Sequence, residues 1–235
     1  NNQNKQFMCK GILTGLFIAI TVAASAQTLP EEKSAEMQKQ LKQIEEAKPK
    51  FAIKAGYNVA RITGSATNFS PDTKNGFMVA ASYSAGAKSG LGYRTELVFT
   101  RQGFGFDESG KQTNVSSDYV YMPHFTTFGI GKFFQVHLGG QLGYLLKSSK
   151  ETTGESKEED ITSFSNRLDY GAAGGVEIYP VKQLIVGGRY NVSFGNAYKR
   201  MTSTSATPSP FPLPFNPDEV KGKNAVINFY IGFRF

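Results

Sequence analysis

From Phe51 onward the chain alternates apolar and polar residues with a period of two in eight successive runs. Each is close to the roughly 9 to 11 residues that a tilted strand needs to cross a bilayer. The runs are FAIKAGYNVARI, FMVAASYSAGA, LGYRTELVFTR, SDYVYMPHFTTF, FFQVHLGGQLGYLL, NRLDYGAAGGVEIY, QLIVGGRYNVSF and NAVINFYIGFRF. Their connections alternate in length. The turns near Lys88, at 129–132 and at 180–182 are tight, whereas 63–76, 103–116, 147–165 and 195–222 are long and polar. Short turns at one end and long loops at the other are the layout of an outer-membrane barrel, and an even strand count returns both ends to the periplasmic side. The expected fold is therefore all-β, an eight-stranded antiparallel up-and-down transmembrane β-barrel over residues 51–235.

Composition is compatible with that fold. A hydrophobic content of 40% and a mean hydropathy of -0.31 are too polar for a bundle of membrane helices but ordinary for strands that are only half apolar. The faces can be read strand by strand. In the last run Ile227, Phe229, Ile231, Phe233 and Phe235 share one face, opposite Val226, Asn228, Tyr230, Gly232 and Arg234. The charged face elsewhere also carries many glycines, which marks it as a crowded interior; a soluble sandwich would turn its charges outward to water. The fourth run keeps both assignments open, because His124 follows Pro123. Two aromatic girdles are expected. One comprises Phe51, Tyr93, Phe128, Phe133, Tyr179, Phe233 and Phe235 at the short-turn end; the other comprises Phe77, Phe99, Tyr119, Tyr144, Phe194 and Tyr198 toward the loops.

Ahead of the barrel, Lys5 and Lys10 precede the apolar run GILTGLFIAITVA, and Ala24 and Ala26 stand at the small-x-small spacing of a cleavage site before Gln27. Residues 1–26 are thus expected to be a signal peptide. Residues 27–50 form a polar periplasmic linker or short helix, with Met37, Leu41 and Ile44 at helical spacing before Pro49. The single cysteine, Cys9, lies in the leader, so a processed chain has no thiol for a disulfide, metal site or nucleophile. Removal of the leader lowers the formal charge from +7 to +5. That scattered excess is no nucleic-acid footprint, and no nucleic-acid partner is expected.

Eight strands enclose an interior only wide enough for side chains. Lys54, Arg94, Glu96, Arg167, Asp169, Glu177, Arg189 and Arg234 are expected there as one network of both signs, since buried charges must be paired. Inward Gly56, Gly92, Gly143, Gly171, Gly175 and Gly232 would make room for them, although strand glycines also mark bulges. A narrow path for small solutes is the functional alternative. The two histidines, His124 and His137, have no serine and acid partners at a catalytic spacing, and the ordinary reading of His137 is a hydrogen-bonded interior side chain. No catalytic, metal or cofactor site is expected. The acidic stretch KSSKETTGESKEED reads as a solvated loop face. The proline-rich TPSPFPLPFNPDE reads either as a partner contact or as a segment folded back over the barrel mouth.

The stretches IKAGYNVARITG, YRTELVFTRQGFG, YVYMPHFTTFGIGKFFQVHLGGQLGYLL, DYGAAGGVEI and GGRYNVSFGN resemble the PorT-type outer-membrane β-barrel proteins typical of Bacteroidetes. The resemblance runs from about Phe51 to Phe235. It implies a bacterial outer-membrane location and a non-catalytic structural or interaction role in the envelope, one branch of the family serving secretion and gliding machinery. It further implies that Phe229, Ile231, Phe233 and Phe235 present the signal read by the barrel-assembly machinery. The partners so implied are outer-membrane lipid, that machinery during insertion, and envelope proteins held through the long loops. The alternatives are a narrow channel or transporter for small solutes, and a lipid-modifying barrel enzyme.

Overall fold

A computed structural model describes residues 37–38, 49–63, 70–88, 90–108, 110–154, 157–200, 212–213, 217 and 221–235. The expected signal peptide, with Ala24 and Ala26, lies outside the described residues. So does most of the linker, of which Met37 and Gln38 are helical. The unit that carries the fold is Ala47–Phe235.

Its strands are β1 (Lys50–Thr63), β2 (Asp72–Lys88), β3 (Leu91–Glu108), β4 (Lys111–Ile130), β5 (Phe134–Thr152), β6 (Glu159–Asp160), β7 (Leu168–Ile178), β8 (Leu184–Ser193) and β9 (Lys223–Arg234). Each neighbour is antiparallel. The ladder β1–β2–β3–β4–β5–β7–β8–β9 closes on itself through twelve β1–β9 pairs, from Ala52 opposite Arg234 to Thr63 opposite Lys223. Closure leaves no open sheet edge along the wall, the condition for strands to stand in hydrocarbon. The expected eight-stranded barrel is thus the observed one. The two-residue β6 is an addition that pairs only with the upper part of β5.

Alternation sets the two faces. Along β9, Ile227, Phe229, Ile231, Phe233 and Phe235 are exposed, and Asn228 and Tyr230 are buried. The same outward apolar face continues through Leu138 and Leu142 on β5, Val176 on β7 and Tyr190 on β8. A continuous exposed apolar belt of this kind is stable against acyl chains and not against water. The structure also resolves the faces of β4: Tyr119, Tyr121, Phe125 and Thr127 point inward, and Met122, His124 and Phe128 outward.

Three expectations are corrected. The segment 103–116 is no loop: β3 and β4 stay paired up to Glu108 opposite Lys111 and turn at Gly110, whose φ is +78°. Gly103 lets the two strands approach closely, since a Cβ there would stand 1.9 Å from the Val115 carbonyl oxygen. Phe104, Phe106 and Val115 alternate inward between them. Likewise β5 runs on to Thr152, so part of the expected loop 147–165 is strand. Finally, Tyr119, Tyr179 and Tyr198 are not girdle residues; all three are buried, because each has a polar or aromatic partner inside the barrel.

Candidate functional site: the barrel interior

Period-two alternation aims Lys54 of β1, Arg94 and Glu96 of β3, Glu177 of β7 and Arg189 of β8 into the lumen, where all five are buried. Lys54 Nζ donates to Glu96 Oε1 at 2.6 Å and to Glu177 Oε1 at 2.7 Å. Arg94 Nη1 donates to Glu177 Oε1 at 2.7 Å, and Arg189 Nη1 to Glu96 Oε2 at 2.7 Å. Three cations thus surround two carboxylates. Neutral partners complete the cluster: the Tyr179 and Tyr230 hydroxyls donate to Glu177 at 2.6 and 2.9 Å, and Gln135 Oε1 accepts from Arg94 Nη2. The Arg189 guanidinium lies between the Phe125 and Tyr230 rings, 5.3 and 5.8 Å from their centroids. Space for these long groups comes from small neighbours. A Cβ at Gly232 would stand 2.9 Å from Lys54 Cγ, and one at Gly187 would stand 2.6 Å from the Tyr230 ring.

Of the eight residues expected to share one network, these five do. Asp169 is buried but belongs to a separate polar group, accepting from Tyr121 and Ser193 hydroxyls at 2.6 Å each and from Asn224 at 3.2 Å. It stands eight residues from Glu177 on β7, roughly 26 Å along an extended strand. Arg167 precedes β7 and turns outward, donating to the carbonyls of Leu145 and Leu146 with its guanidinium over the Tyr144 ring. Arg234 sits at the short-turn rim, donating to the Lys182 carbonyl oxygen and stacking over Tyr179 at 4.6 Å. Sequence reasoning placed Tyr179 in the girdle, yet its parity with Glu177 already pointed it inward.

Between the charge cluster and the Asp169 group lies a cavity of only about 20 Å³, bordered by Gln102, Tyr121, Gln141, Arg189, Asn191 and Asn228. That is room for about one water. Toward the long-connection end the lumen closes under an apolar cap of Ile62, Phe104, Phe106, Val115, Ile161, Tyr198 and Leu213. Leu213 comes from the proline-rich segment, and the neighbouring Pro212 carbonyl accepts from Lys150 Nζ at 2.9 Å. Of the two readings of that segment, its described residues follow the one that folds back over the mouth. Leu213→Ala removes the loop's apolar anchor and is expected to cost about 2 kcal/mol of local stability. Limited proteolysis should then cut within 195–222 several-fold faster while the barrel keeps its resistance to detergent; an unchanged cutting rate would show that Leu213 does not hold the loop.

The two histidines stand on opposite faces of the wall. His124 faces outward, its Nδ1 2.5 Å from the Tyr93 hydroxyl. His137 is buried edge-on to Phe125, and neither of its ring nitrogens has a hydrogen-bond partner among the described residues, contrary to the hydrogen-bonded side chain expected. Among the described residues no serine and carboxylate pair engages either ring. Among the described residues no three His, Cys, Asp or Glu side chains gather closely enough to hold a metal ion. Phe229, Ile231, Phe233 and Phe235, expected to carry the assembly signal, all face outward.

Comparison with known proteins places this geometry. The model of the outer membrane protein beta-barrel domain matches residues 36–199, from within the linker segment to just beyond β8. Among solved structures, the attachment invasion locus protein Ail of Yersinia pestis is 16% identical, with a TM-score of 0.44 over 80% of this chain and 99% of that one. Neisserial surface protein A is 16% identical, with a TM-score of 0.47 over 79% and 97%. OprG from Pseudomonas aeruginosa is 12% identical, with a TM-score of 0.41 over 79% and 95%. No curated protein matches the sequence.

Proposed function

Because the chain belongs to the outer membrane protein β-barrel domain family, we propose that this bacterial outer-membrane barrel is a non-conducting, non-catalytic envelope protein that acts by holding partners. The observation that carries this reading is the filled lumen: a charge cluster near one end, an apolar cap at the other and a water-sized cavity between them. Conduction needs a continuous wet path, and the cluster and cap both oppose one. The wall offers a surface in its place. β3, β4 and β5 are the longest strands of the wall, and toward the long-connection end their outward face is polar, with the Arg101 guanidinium donating twice to Asp118 at 2.7 Å. Bidentate pairs hold geometry well even where solvent weakens them.

The finer form of the proposal is a place in a secretion assembly of the PorT kind, with Phe229, Ile231, Phe233 and Phe235 read by the barrel-assembly machinery on the way in. The test is the native size of the tagged full chain, extracted from outer membranes in mild detergent, with mass spectrometry of co-migrating proteins. Migration in a large assembly is expected, and migration as a lone monomer would sink the partner reading. Two companion outcomes are expected. Reconstitution in planar bilayers gives no conductance steps above background, and His124→Ala and His137→Ala leave membrane lipid composition unchanged. Sustained steps would restore the channel reading, and an altered lipid profile the enzymatic one.

A further inference from the structure

The register of the wall sets Arg189 of β8 directly opposite Asn228 of β9, and the period of two turns both side chains into the lumen. Both border the cavity of about 20 Å³, and they are only 4% and 5% exposed. Each keeps one enclosed polar atom without a hydrogen-bond partner among the described residues: Arg189 Nε, a donor, and Asn228 Oδ1, an acceptor. Arg189 spends Nη1 on Glu96, and its plane is confined by the Phe125 and Tyr230 rings, so Nε is not free to turn toward another carboxylate. An enclosed donor or acceptor left unmade is costly, and native interiors meet that cost with water where a cavity is polar and roomy enough.

The chemistry of the lining selects the occupant. Other polar groups at the cavity have already committed donors: Gln102 Nε2 to the Tyr121 hydroxyl at 3.3 Å, Asn191 Nδ2 to the Val226 carbonyl at 3.2 Å, and the Ser193 hydroxyl to Asp169 at 2.6 Å. The occupant must therefore accept from Arg189 and donate to Asn228. A metal cation is repelled by the guanidinium and cannot accept from it, and a halide cannot donate to a carboxamide oxygen. An organic ligand does not fit the volume. Water meets both demands. We propose that the cavity is a structural water site, in which one water accepts from Arg189 Nε and donates to Asn228 Oδ1. That water completes the bonding of Arg189 and joins the charge cluster to the layer of amides above it. The inference rests on the filled lumen that carries the functional reading: enclosed between cluster and cap, the water exchanges slowly.

The test is nuclear magnetic resonance of the full chain, labelled with nitrogen-15 and folded in lipid nanodiscs, reading cross-relaxation between bulk-exchanging water and the Arg189 Nε–H proton. The wild type should give a cross-peak with the sign of a long-lived internal water. Val226 and Val98 also border the cavity and are buried, so Val226→Leu and Val98→Leu each push a methylene into it without touching a polar group. Either substitution should abolish the cross-peak, and two variants keep the test open if one fails to fold, which the mobility shift between unboiled and boiled samples reports. No cross-peak in the wild type would overturn the water site and leave the non-conducting reading standing. A cross-peak that persists in the folded filled variants would also overturn it, tracing the signal to exchange through a nearby hydroxyl. A wild-type cross-peak with the sign of a short-lived water would overturn the enclosed site and the filled-lumen reading together.

Discussion

Replacing Glu177 by Leu is expected to destabilise the barrel by about 3–5 kcal/mol, the usual cost of stranding a buried charge by removing its partner. The size follows from its contacts. Glu177 accepts from Lys54, Arg94 and Tyr230 at Oε1 and from Tyr179 at Oε2, and it is fully enclosed. Without it, Lys54, Arg94 and Arg189 face the single carboxylate of Glu96. Glu177→Gln keeps much of the shape and should cost less. In the double variant Lys54→Met with Glu177→Met one cation and one anion leave together, so its cost should fall well below the sum of the single changes. The measurement is urea unfolding in vesicles, followed by the mobility difference between unboiled and boiled samples. A loss under about 1 kcal/mol for Glu177→Leu would show that the cluster contributes little to stability, against the range expected for buried pairs.

Leu138→Arg should cost about 2–4 kcal/mol, the penalty of a cation at the lipid-facing midplane of a barrel. Leu138 is 63% exposed and lies on β5 between the exposed Phe134 and Tyr144, near the middle of the apolar belt. Phe51→Arg at the rim provides the contrast, with an expected cost of about 0–1 kcal/mol, because near the interface the guanidinium reaches headgroups and water. Equal costs at the two positions would mean that the belt is not buried in hydrocarbon. The pair of variants therefore tests the membrane assignment of the face, independently of the lumen.

The barrel itself was legible because its signal is local. Side chains alternate across a strand whatever surrounds it, so Lys54, Glu96, Glu177 and Arg189 could be assigned inward, and Phe229 and Ile231 outward, from neighbouring residues alone. The same parity would have turned Tyr179 inward had its aromatic character not suggested a girdle. Reasoning failed where the local rule ends. Arg167 stands one residue before β7, and Arg234 is at the last position of β9, so neither has a lumen around it. At 103–116, Gly103 lets β3 and β4 approach each other and continue as strand, and the turn waits until Gly110.

The sequence by itself determined the class of fold, the number of wall strands and the sidedness of most residues, because each depends on period, run length and connection length. Tertiary structure alone decided which inward groups meet. Lys54 and Glu177 are 123 residues apart and touch because ring closure and register bring β1, β3, β7 and β8 to one height, while Asp169, on the same strand as Glu177, is carried away to another. It also decided that Leu213 closes the mouth, since a loop's anchor depends on the apolar hollow formed by Phe104, Phe106 and Tyr198 once the wall has curved around it. Parity is a property of the chain, whereas height within the barrel is a property of the closed sheet.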